Sequence, residues 1–479
     1  MFSQEQKPVS KRAFGDGCRY VPGCYHNERS VAGANVVATV NIPFFTIVAG
    51  APPVHLPLRC GPRKLDQRMK RVACTIVSTN YLHFGWTLAE SFLKLHPDDE
   101  FHLLLVDRLP EDFVSRDPRV RVLEVEKLGL PAFRSLAFKF DILELNTGVK
   151  PSFLKYLFAL GADKVVYFDP DIYIFHSVEL VYEALESASI VLTPHILTPT
   201  TDAEHVYEKD LLGTGVFNLG FVAVSNSVQG RDFLDWWEER CLTLGFSDLR
   251  AGLFVDQKWV NLVPCLFDKA RVMRHPGCNV AYWNLYERPL SAGDNGYLID
   301  GSWPLIFFHY SGYTFGLPDQ LSRKLRLPQR VDETLRRVLL FYGERLRANG
   351  AESYQKYVYA YQNFSDGSLI PLLARRLYSV TMDRWGDHDP FDANGDFHAA
   401  ARKKGLLSKQ DQSGRYSSDN LPINDWRIRT INRILFSLPP IIGGDRYTML
   451  MKYLSFISIL RNQRRLLLAG ELRSPDRSA

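Results

Sequence analysis

A succession of short apolar runs, each closed by polar residues and followed by a helical segment, begins abruptly at Arg71 and limits what the chain can become. Val72–Val77 is apolar and closes on Ser78-Thr79-Asn80, Trp86–Leu95 reads as a helix, and Phe101–Val106 and Val120–Val125 read as further strands. Alternation of this kind predicts an α/β fold with a mostly parallel central sheet. Ser135–Leu145 reads as a helix capped by Ser135, and Pro151 can open the next helix, ending near Leu160. Lys164–Phe168 is another apolar strand, and it runs directly into Asp169-Pro170-Asp171. Strands over Ser189–Leu192 and Gly220–Val224, helices over Asp232–Cys241 and Val255–Leu266, and a late strand Leu305–Phe308 ending in His309 complete the pattern.

The rest of the chain differs in character. Residues 1–70 lack a helical period and read as an N-terminal extension. Within them Ser30–Leu58 carries no charge, but Asn41, Pro43 and Pro52-Pro53 interrupt it and β-branched residues are frequent. It therefore reads as strand or buried structure ahead of a spanning helix, which needs about 20 apolar residues. Residues 71–325 form the expected α/β domain, and 326–479 a helical, basic C-terminal region. There, apolar runs alternate with arginines from Arg427 to Gly470, and Pro439-Pro440 and Gly443-Gly444 break them into helices. Two readings of this tail compete: a buried helical subdomain, or a surface docked on anionic lipid. With 479 residues, 46% of them hydrophobic and 23% charged, the chain is globular rather than disordered. A net charge of +5 is mild for that length and does not by itself select a partner. Seven cysteines with no Cys-x-x-Cys pair argue against a zinc knuckle or a disulfide framework.

The chemistry concentrates at strand ends. A parallel sheet places ligands at the carboxyl ends of its strands, and two carboxylates one residue apart can share one hard divalent cation there. An Asp-x-Asp pair arises about once by chance in a chain this long, and Asp387-His388-Asp389 is a second one. That second pair lacks a preceding strand and reads as a solvated loop. His309, at the end of an apolar strand, can add an imidazole ligand, which favours Mn²⁺ over Mg²⁺. Asn218, with Gly220 two residues on, and Asp256-Gln257 carry amides and a carboxylate suited to sugar hydroxyls. In the same reading Gly220 lets backbone approach a ligand closely. Thr79, Asn80 and Tyr81 follow the first strand, where a nucleotide base can be bonded and stacked, and Lys150 can meet a diphosphate as a point charge. No Gly-rich phosphate loop of the Walker or Rossmann type is present.

This ordered set resembles the GT-A fold glycosyltransferases, and most closely the retaining family 8 type of bacterial glycan synthesis. The resemblance covers about residues 71–315. It implies a metal site of Asp169, Asp171 and His309 holding Mn²⁺ or Mg²⁺, with Asp169 also on the donor, a nucleoside held by Asn80 and Tyr81, and catalytic residues Asn218, Asp256 and Gln257 facing the sugars. It also implies a UDP-sugar donor and transfer with retention. Lys150 would be a basic donor contact, with Thr79 and Gly220 also on the donor side. The family's Lys-Pro-Trp after the late His and Gly is missing, since the chain reads Tyr313-Thr314-Phe315-Gly316. His275–Asn279 and Tyr282-Trp283-Asn284 resemble an acceptor-side segment. The expected partners are a nucleotide-sugar donor and a glycan, lipid-linked or protein acceptor, not nucleic acid. The expected location is cytoplasmic, with peripheral contact at the inner membrane face. Alternative readings are an inverting glycosyltransferase, a nucleotidyltransferase acting on sugar phosphates, and a non-catalytic sugar-binding or assembly protein.

Overall fold

The computed structural model describes residues 69–111, 113–200, 208–294, 296–317, 319–324, 331–407 and 425–467, and the backbone of a few short strands before residue 58. The chain divides into compact units at 1–69 and 70–479. In the first, Val37–Ala38 and Thr46–Ala49 are strands within the uncharged stretch. Among the described residues no helix is long and apolar enough to cross a membrane.

The second unit is built on a seven-stranded sheet. Its strands are β1 (Arg71–Val77), β2 (Glu100–Leu105), β3 (Val120–Glu124), β4 (Lys164–Phe168), β6 (Ile190–Pro194), β7 (Phe217–Ser225) and β8 (Ala270–Val272). They lie in the order β8-β6-β7-β4-β1-β2-β3, and all pairings are parallel except those of β7. Side chains alternate across the sheet. Val72, Cys74, Ile76, Val165 and Tyr167 join one core, while Ala73, Val77, Val166 and Phe168 join another on the opposite face. Burial on both faces is why these strands are apolar throughout rather than at every second residue.

Helix α1 (Leu82–Leu95) covers one face through Leu82, Trp86 and Phe92. α5 (Glu179–Ser187) joins it there through Val181 and Leu185. On the other face lie α3 (Ile142–Gly148), α4 (Lys150–Ala159) and α7 (Val228–Leu244), contributing Leu145, Phe153 and Trp237. Each fully buried side chain of this size contributes roughly 1.5–3 kcal/mol.

The expected helix Ser135–Leu145 is instead two. α2 (Phe133–Lys139) stops at an extended Phe140, and α3 restarts behind Asp141. Asp141 Oδ1 accepts from Glu144 N (2.9 Å) while Glu144 Oε2 accepts from Asp141 N (3.0 Å). This reciprocal cap makes a fresh helix start cheaper than continuing. Ser135 is no cap; its hydroxyl meets Tyr378 Oη at 2.9 Å. The expected helix Val255–Leu266 is also corrected. Val255 has φ +40°, Lys258–Leu262 is a 3₁₀ turn, and only α8 (Val263–Leu266) is α-helical.

Among the described residues after 330, the regular elements are mainly helices. α9 (Glu333–Ala348) stacks Tyr342 on Tyr310, with ring centroids 3.7 Å apart. In α11 (Leu372–Ser379) the buried Arg375 donates to the carbonyls of Ala137, Phe138, Phe140 and Tyr361. α12 (Asp396–Lys403) adds Phe397 and Ala401 to the same core. The last helices, α13 (Trp426–Ser437), α14 (Pro439–Ile442) and α15 (Gly444–Ser458), contain no buried residue. Among the described residues, the tail thus buries no side chain between Trp426 and Ser458, while Leu467 beyond it packs against the main core.

Candidate functional site

β4 ends at Phe168, and Asp169 follows at the carboxyl edge of the sheet, its N–H held by Gly220 O at 2.7 Å. After a tight turn, β5 (Ile172–Ile174) pairs antiparallel with β12 (Phe307–His309), in register Ile172 opposite His309. Tyr310 N also bonds Asp171 O at 2.8 Å. Strand pairing therefore carries His309 across about a third of the sequence to the Asp pair.

His309 Nε2 lies 3.0 Å from Asp171 Oδ1 and 3.9 Å from Asp169 Oδ2. One ligand atom from each of the three residues lies within 4.8 Å of the others. Two carboxylates and an imidazole are a donor set suited to a divalent cation of the Mn²⁺ type. The carboxylates are partly open, with side chains 31% and 25% exposed, and the imidazole is buried. The set can thus grip an ion on one side and leave the other to a ligand. Partial burial pushes the Asp171 carboxyl up, but His309, and less strongly Lys324, outweigh this and hold it below the ordinary range. The Lys324 ammonium itself donates to Ser311 Oγ at 2.8 Å.

Behind the His309 imidazole is a chain of hydrogen bonds. His309 Nδ1 meets Asn218 Oδ1 (3.1 Å), Asn218 Nδ2 meets His195 Nε2 (3.3 Å), and His195 Nδ1 meets Val216 O (3.2 Å). A carbonyl at one end permits only one proton order. His195 carries its proton on Nδ1, the Asn218 amide donates to its Nε2, and Asn218 Oδ1 accepts from His309 Nδ1–H. The lone pair of His309 is thereby fixed on Nε2, toward the carboxylates. Burial lowers His195 to about 4, so it is neutral, as this order requires.

Gly220 lies beneath this chain. A Cβ there would overlap His309 Cε1 and come within 2.8 Å of both His309 Nδ1 and Asn218 Oδ1. Its missing side chain makes room for the imidazole. Trp283 packs edge-on to His309 (5.2 Å), and Asn284 donates to the carbonyls of His195 and Asn279. The segment that resembled an acceptor site thus forms the rear wall of the imidazole.

A second cluster adjoins Asp169. Lys150 Nζ is 2.6 Å from Asp256 Oδ2, 3.9 Å from Asp169 Oδ1, and donates to Leu219 O at 2.8 Å. Tyr167 Oη donates to Asp169 Oδ1 (2.7 Å), and the Lys150 ammonium sits over the Tyr167 ring at 4.2 Å. Lys150 and Asp256 are both buried, and burial raises the Asp256 carboxyl despite Lys150. Gln257 Oε1 accepts from Leu219 N (3.1 Å) while its Nε2 donates to Thr214 O (3.1 Å). The amides of Asn218 and Gln257 are therefore taken up inside the protein rather than presented outward.

At the end of β1, Thr79 is buried, its N–H on Asp107 Oδ2 (3.1 Å) and its hydroxyl on Arg108 O (2.9 Å). Asn80 Oδ1 accepts from Ser78 Oγ (2.6 Å), and the exposed Tyr81 stacks on Phe84. β1 and β4 are parallel neighbours with Cys74 opposite Tyr167, so this loop and Asp169 share one sheet edge. Asp389 of the other Asp-x-Asp pair is bound to Arg134 at 2.6 Å, beside exposed Asp387 and His388. His195, Asn279, Trp283 and Lys324 were not singled out from sequence as neighbours of Asp171 and His309; the fold brings them there from loops and turns beside the strands.

No family model matches the chain. It is 26% identical to the uncharacterized protein YfnF of Bacillus subtilis (strain 168) over 252 residues, which is 51% of this chain and 82% of that protein. It is 26% identical to YfnD of the same organism over 249 residues, 50% of this chain and 77% of that protein. Similar solved structures are glycosyltransferases. One is the galactosyltransferase LgtC in complex with donor and acceptor sugar analogs, with 14% identity, TM-score 0.36, and coverage of 58% of this chain and 95% of that one. Another is the glycosyltransferase GlyE of Streptococcus pneumoniae TIGR4, with 15% identity, TM-score 0.35, and coverage of 65% and 73%. At these identities and TM-scores the likeness assigns no activity to this chain, and function rests on the residues of the site.

Proposed function

We propose that the chain is a metal-dependent glycosyltransferase, with catalysis in residues 71–325 and a nucleotide-diphosphate sugar, by resemblance a UDP-sugar, as donor. The observation that carries this reading is the convergence of the Asp169-Pro170-Asp171 turn and His309, two distant segments, at the carboxyl edge of the sheet. A divalent cation held there would offset the charge that develops on a leaving diphosphate. Asp169 and Asp171 hold that side of the donor, and Asn80 and Tyr81 stand one strand away for the nucleoside. Lys150 orients Asp169 and Asp256 from beneath, and Lys324 supplies a cation beside Ser311. In the transfer, the acceptor oxygen bonds the anomeric carbon as the bond to the diphosphate oxygen breaks. The electron pair leaves on the diphosphate, which also takes the acceptor proton. Retention of configuration rests on the family resemblance, as does the bacterial glycan setting.

The test is hydrolysis and transfer across a panel of nucleotide sugars, with Mn²⁺ and with chelator. Release of nucleoside diphosphate that requires the ion and is lost in Asp171→Asn supports the reading. Release of pyrophosphate from sugar phosphate and nucleoside triphosphate would favour the nucleotidyltransferase instead.

A further inference from the structure

We propose that the helices between Trp426 and Ser458 are a docking surface for an anionic lipid bilayer, lying in its plane. No residue from 425 to 467 is buried. Yet Trp426, Ile431, Ile434, Phe436, Ile441 and Phe456 are large apolar side chains between 50% and 74% exposed. An apolar surface of this kind on a folded protein marks a contact site.

The chemistry favours lipid. Eight basic residues and two acids, Asp425 and Asp445, lie between 425 and 467; Arg427 is paired with Asp425 and Arg461 with Asp248, and the net excess of positive charge complements an anionic headgroup layer. Along α13 the exposed Trp426 and Phe436 share a face with Arg429 and Arg433, so aromatic rings stand beside the charges, while the exposed Ile431 and Ile434 flank the half-buried Ile428 and Leu435 on the other side. A helix of 12 residues spans about 18 Å, too short to cross a bilayer and long enough to lie in its interface. Pro439 and Pro440 separate α13 from α15.

The surface is tied to the catalytic unit at its far end. Arg461 stacks on Phe246 (4.5 Å) and reaches Asp248 Oδ2 (4.0 Å). Docking would therefore hold the enzyme against the membrane rather than trail it on a free tether.

The full chain should float with vesicles of phosphatidylcholine containing a quarter phosphatidylglycerol, and not with phosphatidylcholine alone; added salt should weaken the binding. Arg427→Gln/Arg429→Gln/Arg433→Gln should lower partitioning about a hundred-fold. Ile431→Ser/Ile434→Ser should lower it at least about ten-fold. Both variants change exposed or half-buried side chains, so their circular dichroism and Mn²⁺ binding should match the parent. Absence of binding to the phosphatidylglycerol vesicles at low salt would overturn the proposal. So would equal binding to both lipids, or unchanged binding by both variants. A concentration-dependent dimer lost in Ile431→Ser/Ile434→Ser, with no flotation, would show that a second copy covers the face.

Discussion

Replacing Gly220 with alanine should cost metal affinity out of proportion to its size. The added Cβ would lie within 2.8 Å of His309 Nδ1 and Asn218 Oδ1, and ordinary contact begins at 3.4 Å, so the ring must retreat by at least about half an ångström. It has little freedom to do so. Trp283 packs against it, His309 N is held by Val280 O at 2.8 Å, and β12 is registered against β5. The strain therefore falls on the His309–Asn218 bond and on the aim of Nε2. Losing that aim should weaken Mn²⁺ binding about ten- to a hundred-fold, or roughly 1.4–2.8 kcal/mol. Overpacking should also lower folding stability by about 1–3 kcal/mol. Titration followed by the Mn²⁺ electron paramagnetic resonance signal reads the first quantity and urea denaturation the second. Gly213→Ala is the control: it lies in α6 (Glu208–Thr214) with open space around the position, and should be neutral or slightly stabilising. Mn²⁺ affinity and stability in Gly220→Ala equal to those of the parent would refute the claim that this glycine exists to seat the imidazole.

Other changes probe the same network. Asn218→Leu removes both bonds of the amide, leaving His195 Nε2 without that donor and His309 Nδ1 with only the longer contact to Asn279 Oδ1 (3.4 Å). It should lower stability by about 1–3 kcal/mol and Mn²⁺ affinity about ten-fold, with altered imidazole nitrogen coupling in pulsed resonance spectra. Lys150→Ala leaves the Asp256 carboxylate buried alone and should cost about 3–5 kcal/mol in urea denaturation. Lys150→Met/Asp256→Leu should recover most of that stability and none of the donor hydrolysis. His83 is fully buried with both ring nitrogens unpartnered, and burial lowers it to about 4 from its ordinary 6.5. Because the unfolded chain takes up the proton first, the stability it contributes is present above pH 6.5 and is lost as pH falls toward 4. The loss reaches roughly 3 kcal/mol. Denaturation at neutral and acid pH should show that part of the slope gone in His83→Leu.

What sequence could and could not supply follows from the range of each interaction. The strand Lys164–Phe168 was legible to the residue, because burial on both faces makes an apolar run that ends where the sheet ends. The break between α2 and α3 was written as Asp141-x-x-Glu144, a local signal masked by continuous apolar spacing on either side. The tail is ambiguous for a related reason: helical periodicity records that a face avoids water, and a protein core and a lipid surface satisfy it equally. Asn218 and Gly220 were noticed for their chemistry, but their neighbours decide what that chemistry is used for. His309 is 91 residues from Asn218 and 30 from Asn279. An amide that bridges two imidazoles and an amide that faces a sugar therefore look alike until β5 and β12 are placed side by side. The three candidate ligands have a chemistry visible from composition and spacing. The relay that fixes their proton order depends on strand register, which no local pattern encodes. Substitutions along the relay are accordingly the sharper test of the site, since they alter the aim of His309 while leaving all three ligands in the sequence.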